Sequence, residues 1–278
     1  MAVMALVGCG KKTTPAEPEA NAHPKEAANK PEPPEAELKP VAKIPAKSFT
    51  NTLGMVFKPV PGTEVQFCIW ETRVKDYAAY AAANAGVDGS WKNFGFAGFK
   101  QEDTHPVVKV SWNDANAFCA WLTKKELAEG KIKAGQKYRL PTDAEWSVAV
   151  GLGKEVGDTP EAKDGGIKDV YPWGKEWPPP KGAGNYNLEQ NSDKFEKTSP
   201  VGSFEVKLNG LYDLSGNAWE FCEDWSDPEE KQFRVMRGAS WDNFSPGGLL
   251  LSYRYWNTPD SRYITFGFRC VLVGGSGG

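Results

Sequence analysis

Histidine is nearly absent from this chain, which carries only His23 and His105 in 278 residues. A centre built from several imidazoles is therefore ruled out by supply alone. No charge of one sign dominates either. The 33 basic and 36 acidic residues leave a formal net of -3, and no run of lysine or arginine forms a stripe that tracks phosphates. Nucleic acid is not an expected partner. Internal repeats are missing as well. Glycine, proline and tryptophan are plentiful, with 29, 21 and 11 copies, and 40% of the residues are hydrophobic. Such a chain buries a substantial core while spending many residues on irregular loops, because glycine and proline punctuate regular elements and large aromatics fill the space between loops.

The first 47 residues have a different character. Met1 to Val7 is a short apolar run ending in Leu6-Val7-Gly8-Cys9, which resembles a bacterial lipobox with Cys9 as the acylated residue. The run is short and lacks a positively charged start, as a start codon assigned too late would produce; the alternative is a buried strand with an incidental cysteine. Residues 10–47 follow as a tether. From Lys11 to Lys47 there is no aromatic residue, and Pro, Ala, Glu and Lys dominate, so too little apolar surface exists to offset the entropy of ordering. Prolines favour extended backbone, giving a reach on the order of 100 Å at about 3.1 Å per residue. The expectation is a signal over 1–9, a disordered tether over 10–47, a folded domain over 48–274 and a disordered tail over 275–278. A lipid anchor of this kind places the domain in a bacterial cell envelope, periplasmic or at the cell surface, with the membrane as its first partner.

Within the domain, Met55 to Val60 and Val65 to Trp70 have strand composition around a Pro61-Gly62 turn. Thr72 is placed to cap a helix whose buried face is Val74, Tyr77, Ala78 and Ala81, ending at Gly86. A second helix follows Ser111-Trp112 with Ala115, Phe118, Cys119 and Leu122 on one face, and stops at Gly130. A third begins at the capping box Thr142-Asp143-Ala144-Glu145. Beyond Gly151 periodicity fades. Long loops carry Trp173, Trp177, Trp219, Trp225, Trp241 and Trp256, and strands are expected at 218–223, 234–238 and 267–273. The fold class is α+β. Disulfides or bound cations are the usual devices that hold such loops.

Several blocks, taken in order, carry a resemblance. They are His105-Pro106-Val107-Val108-Lys109-Val110-Ser111-Trp112-Asn113-Asp114-Ala115, Tyr138-Arg139-Leu140-Pro141-Thr142-Asp143-Ala144-Glu145-Trp146 and Tyr171-Pro172-Trp173-Gly174. Gly210-Leu211-Tyr212-Asp213-Leu214-Ser215-Gly216-Asn217-Ala218-Trp219-Glu220, Arg237-Gly238-Ala239-Ser240-Trp241 and Gly267-Phe268-Arg269-Cys270 complete the series. Together they resemble the formylglycine-generating enzyme (sulfatase-modifying factor) family. The resemblance implies a single compact domain related to the C-type lectin fold.

Members of that family that oxidise a substrate cysteine use two thiols shortly after a Gly-Gly-Ser-aromatic motif, where soft sulfur holds copper(I). Here the motif reads Gly238-Ala239-Ser240-Trp241, the corresponding positions are Asn243 and Gly248, and no cysteine lies between Cys222 and Cys270. Copper is therefore not expected, and no catalytic residue is assigned. His105, before a proline, is expected to be structural. The resemblance also implies two structural calcium sites. The first would use side chains of Asn185 and Asp193 with carbonyls of Tyr186 and Phe195; the second would use Asp213 and Glu220 with carbonyls of Gly216 and Ala218. Oxygen donors on glycine-rich loops suit a hard cation; the alternative is that Asp213 and Glu220 cap turns or meet lysines. A disulfide between Cys119 and Cys270 is implied too, while Cys68 and Cys222 either pair or stay free. Two functions follow as expectations: a calcium-stabilised module that binds or scaffolds a protein, peptide or glycan ligand, or a formylglycine-type enzyme acting on exported sulfatases or another protein.

Overall fold

The computed structural model describes residues 48–205 and 208–274. The expected signal with Cys9, the tether and the tail over 275–278 lie outside the described residues. Strand β1 (Phe49–Thr50) leads into an antiparallel hairpin of β2 (Val56–Pro59) and β3 (Gln66–Cys68), with Phe57 opposite Cys68. Gly62, at φ +88°, occupies the left-handed backbone that the turn requires. Helix α1 (Val74–Ala83) buries Tyr77 and Tyr80. Its cap is Arg73 rather than Thr72, because the backbone of Thr72 is committed elsewhere, donating to Phe268 and accepting from Val107. Helix α2 (Trp112–Ala128) starts at a reciprocal Ser111–Asp114 capping box and buries Ala115, Phe118, Cys119 and Leu122, as their spacing dictates.

Strand β4 (Lys137–Arg139) precedes α3 (Asp143–Ala149), which is capped by Thr142 and Glu145, and a single turn α4 (Pro160–Lys163) follows. The chain then runs as loops to β5 (Trp219–Trp225), β6 (Arg234–Arg237), β7 (Tyr255–Asn257), β8 (Phe266–Gly267) and β9 (Val271–Val273). Two sheets result, with orders β1-β2-β3-β9-β4 and β7-β6-β5-β8. The strand expected over 267–273 is therefore split, its two ends serving different sheets. The cause is Arg269, which turns into the core between them and is fully buried.

Between the sheets and the helices lies an aromatic core. Phe118 stands 5.9 Å from Tyr77 and 5.5 Å from Phe268 between ring centroids, so helix faces and the β8–β9 crossover interlock. Charged residues join the core in pairs. Asp143 at the head of α3 accepts from Arg237 of β6 and, at 2.9 Å, from Arg254, and all three are buried. Glu155, 2.8 Å from Arg254, balances the second guanidinium, so that each charge is compensated, as burial demands. Among the described residues no helix is long and apolar enough to cross a membrane.

Candidate functional site

The segment after β6 forms the floor of the candidate site. Gly238 and Ala239 both have positive φ, +95° and +63°, so the chain reverses sharply there. A side chain at Gly238 would stand 3.2 Å from the Leu214 carbonyl, which leaves glycine as the fitting residue. The Gly238 carbonyl accepts from Gly216 N–H at 2.7 Å, and Trp241 N–H donates to the Asn217 carbonyl at 3.1 Å, tying this loop to the one before β5. The Asn243 side-chain oxygen accepts from the Ser240 amide at 2.9 Å and its hydroxyl at 2.8 Å. A Cβ at Gly248 would lie 3.6 Å from Asn243 Nδ2. Positions 243 and 248 are thus neighbours, and what they offer is a carboxamide already engaged with Ser240 and a bare backbone. That donor set does not fit copper(I), which takes soft sulfur ligands.

Above this floor lies a cleft of about 250 Å³ lined by Asn187, Leu188, Glu196, Lys197, Trp241 and Asp242. The Lys197 ammonium covers the faces of Phe96 and Trp241, 4.3 and 4.4 Å from their centroids. Phe96, Leu188 and Phe244 are exposed.

The first expected cation set is gathered in one loop. The Asp193 carboxylate accepts from the amides of Tyr186 at 3.1 Å and Phe195 at 2.7 Å, and Asn185 donates to the Lys197 carbonyl at 2.8 Å. Asn185 is buried and its side-chain oxygen has no partner. An orphaned buried oxygen is a donor that suits a hard cation. The second set is arranged otherwise. Glu220 is held by Arg269 through two contacts of 2.6 and 2.5 Å, and Asp213 accepts from the Gly202 amide at 2.6 Å. Gly216 abuts Asn185, whose carbonyl would be 2.4 Å from any added Cβ, and the Ala218 amide donates to Glu71 at 3.0 Å. With Arg269 in place Glu220 already has its counter-charge, so these residues fit a guanidinium better than calcium. Among the described residues no three histidine, cysteine or acidic side chains converge as a metal site.

Residues 27–273 match the sulfatase-modifying factor enzyme 1-like domain. The chain belongs to this family. A mouse relative named inactive C-alpha-formylglycine-generating enzyme 2 is 35% identical over 195 residues, covering 64% of this chain and 53% of its own length. A formylglycine-generating enzyme from Thermomonospora curvata is 32% identical, covering 60% of this chain and 55% of its own. The chain therefore spans about half the length of these relatives. Among solved structures, PvdO from Pseudomonas aeruginosa aligns at TM-score 0.58 with 21% identity, over 84% of this chain and 100% of that one. Treponema denticola variable protein 1 aligns at 0.53 with 20% identity, over 84% and 100%. These two likenesses establish a shared fold.

In this sulfatase-modifying-factor domain the Cys119 and Cys270 sulfurs face each other at 3.5 Å as free thiols, so the expected partners meet without the covalent bond. Burial pushes the Cys68 thiol up to about 12 and that of Cys222 well above its ordinary value. His105 is buried, its Nδ1 2.9 Å from the Thr198 hydroxyl, consistent with the expected structural role.

Three residues were missed in the sequence as parts of this centre. Asn217, buried at φ +63°, donates to Glu71 at 2.7 Å and accepts from Asn185 at 3.1 Å and from the Ser199 amide at 2.8 Å. Glu71 is fully buried. Burial, with the charges of Asp213 and Glu220 adding to it, raises its carboxyl well above the usual range. Burial likewise pushes Asp213 up to about 6. Arg269 is the guanidinium that pairs with Glu220. The only sequence signal for Asn217 was its place after Gly216, where a left-handed turn favours asparagine.

Proposed function

We propose that this chain is an exported, lipid-anchored member of its family that binds or scaffolds a protein, peptide or glycan ligand and does not convert cysteine to formylglycine. The observation that carries this is the pairing of Asn243 with Gly248, adjacent in space and without sulfur. Oxygen chemistry on a soft metal needs thiolates at such positions, and an amide that already accepts from Ser240 supplies none. The relatives named inactive, from mouse and cattle, support the same reading. Calcium at the Asn185–Asp193 loop is the structural cofactor of the proposal. Export also allows the facing Cys119 and Cys270 thiols to close, which alkylation under non-reducing conditions would register as two protected cysteines.

The test is direct. The purified chain, given copper(I), oxygen and a sulfatase-motif peptide, is expected to leave the peptide mass unchanged. The second reading, a formylglycine-type oxidase, draws on the relatives that bear that enzyme's name. Copper-dependent turnover lost in Ser240→Ala would establish it and overturn the first.

A further inference from the structure

The four described cysteines are all buried and free, and three of them meet in one place. Cys119 comes from the buried face of α2, and its sulfur stands 3.5 Å from that of Cys270, which follows Arg269 at the approach to β9. The third is Cys68, the last residue of β3. Strands β3 and β9 run antiparallel with Gln66 opposite Leu272 and Phe67 opposite Val271, so the next pair in register is Cys68 and Cys270. The Cys68 N–H donates to the Cys270 carbonyl at 2.9 Å and fixes that pairing.

Directly opposed residues of an antiparallel pair send their side chains to one face. Here that face carries Cys119 and Phe118 of α2, while Phe67 and Val271 point to the other side. In a hydrogen-bonded antiparallel pair the Cα atoms lie about 5.5 Å apart, inside the range of roughly 4.4–6.8 Å that a disulfide spans. Cys270 therefore has two partners within reach and one sulfur to give. Cys222 stands outside this group. It lies on β5 in the other sheet, packed with Trp146 and Val235.

We propose that Cys270 is shared between two mutually exclusive disulfides, one to Cys119 and one to Cys68, and that the chain exchanges one for the other. Closing either bridge oxidises two thiols. Two electrons and two protons pass to a small disulfide oxidant of the glutathione class, which leaves as two thiols. The exchange itself is redox-neutral. The Cys68 thiol gives up its proton and the thiolate attacks the Cys270 sulfur; the bond to Cys119 breaks as the new one forms, and Cys119 leaves as a thiolate that takes up a proton. The two forms hold different parts of the domain. A bridge to Cys119 fastens α2 to the sheet, whereas a bridge to Cys68 joins two strands already hydrogen-bonded and leaves α2 without a covalent tie. Cys68 thus makes the staple on α2 releasable. The inference rests on the bridge that export would permit, and not on what the Asn243–Gly248 floor binds.

The experiment uses the full chain with Cys9→Ser, which removes the thiol outside the described residues. It is equilibrated in native buffer with reduced and oxidised glutathione, quenched with acid, alkylated and mapped by mass spectrometry. Both Cys119–Cys270 and Cys68–Cys270 peptides are expected, with Cys222 alkylated throughout. Two further substitutions separate the bridges. Cys68→Ala should form only Cys119–Cys270 and Cys119→Ala only Cys68–Cys270, with equilibrium constants against glutathione within about tenfold of each other. Should Cys119→Ala fail to fold, as judged by far-UV dichroism, the isomers of the chain that keeps all three thiols still decide. Absence of the Cys68–Cys270 peptide from that chain, or a bridge that includes Cys222, overturns the proposal. None of these outcomes alters the formylglycine test.

Discussion

Asn217 joins four separate stretches of chain through one residue. Its amide and side chain reach Asn185, Ser199 and Glu71, and its carbonyl receives Trp241. Each of those partners is buried. Asn217→Ala leaves one oxygen of Glu71 and the Ser199 amide without the hydrogen bonds that Asn217 makes to them, and unmade buried bonds cost about 1–3 kcal/mol each. The expected loss is about 2–4 kcal/mol, read as a shift of the urea midpoint at constant slope. Asn217→Asp, which keeps the shape but sets a second carboxylate against Glu71, should be no better. A midpoint within experimental error of the parent would remove Asn217 from its place at the centre of the site. His105 supports a prediction of another kind. Burial lowers its pKa, so the unfolded chain takes up a proton first as pH falls. Stability contributed by this group is held above about pH 7 and is lost as pH drops through the ordinary value of about 6.5. Thermal melts of His105→Asn should lack that part of the decline between pH 7.5 and 5.5, and parallel curves for the two proteins would refute the assignment. At this scale the sequence was partly legible. The positions without thiols could be read from motif order, whereas Glu71 lies between a strand and a helix with no periodic signal, and its burial depends on segments far away in the chain.

Helices α2 and α3 were readable because their signals are local, a capping box followed by apolar residues at helical spacing. The start of α1 was misplaced by one residue, since Thr72 is claimed by Phe268 and Val107, contacts invisible from its neighbours. The division of residues 267–273 between two sheets was equally hidden. Strand composition says that a segment extends, but the partner of each end is a long-range choice, here forced by Arg269 turning inward to Glu220. The loop from Asn185 to Phe195 has no regular structure beyond a short turn and is held by Asp193 from within. If calcium completes it, a chelator should lower the melting temperature, and Asp193→Asn should remove the difference between chelated and calcium-loaded protein. Binding to the folded state alone adds about 2.7 kcal/mol at a hundredfold excess over Kd. Identical melts with and without chelator, together with no calcium by elemental analysis, would retire the cation.

For the molecule as a whole, the anchor proposal joins Cys9 to a tether that reaches on the order of 100 Å if extended. Radiolabelled palmitate should enter the chain when a full export signal is supplied, and Cys9→Ser should release the protein from membranes; label incorporated without Cys9 would refute the assignment. The order of the larger sheet also bears on folding during synthesis. Strand β9 is among the last residues described, yet it sits between β3 and β4, with Phe268, Arg269 and Cys270 buried just before it. A nascent chain that has not yet yielded these residues lacks an inner strand of one sheet, the partner of Glu220 and part of the aromatic core. Native packing of this sheet must therefore wait until these residues have left the ribosome, and the earlier segments stay unlocked until then.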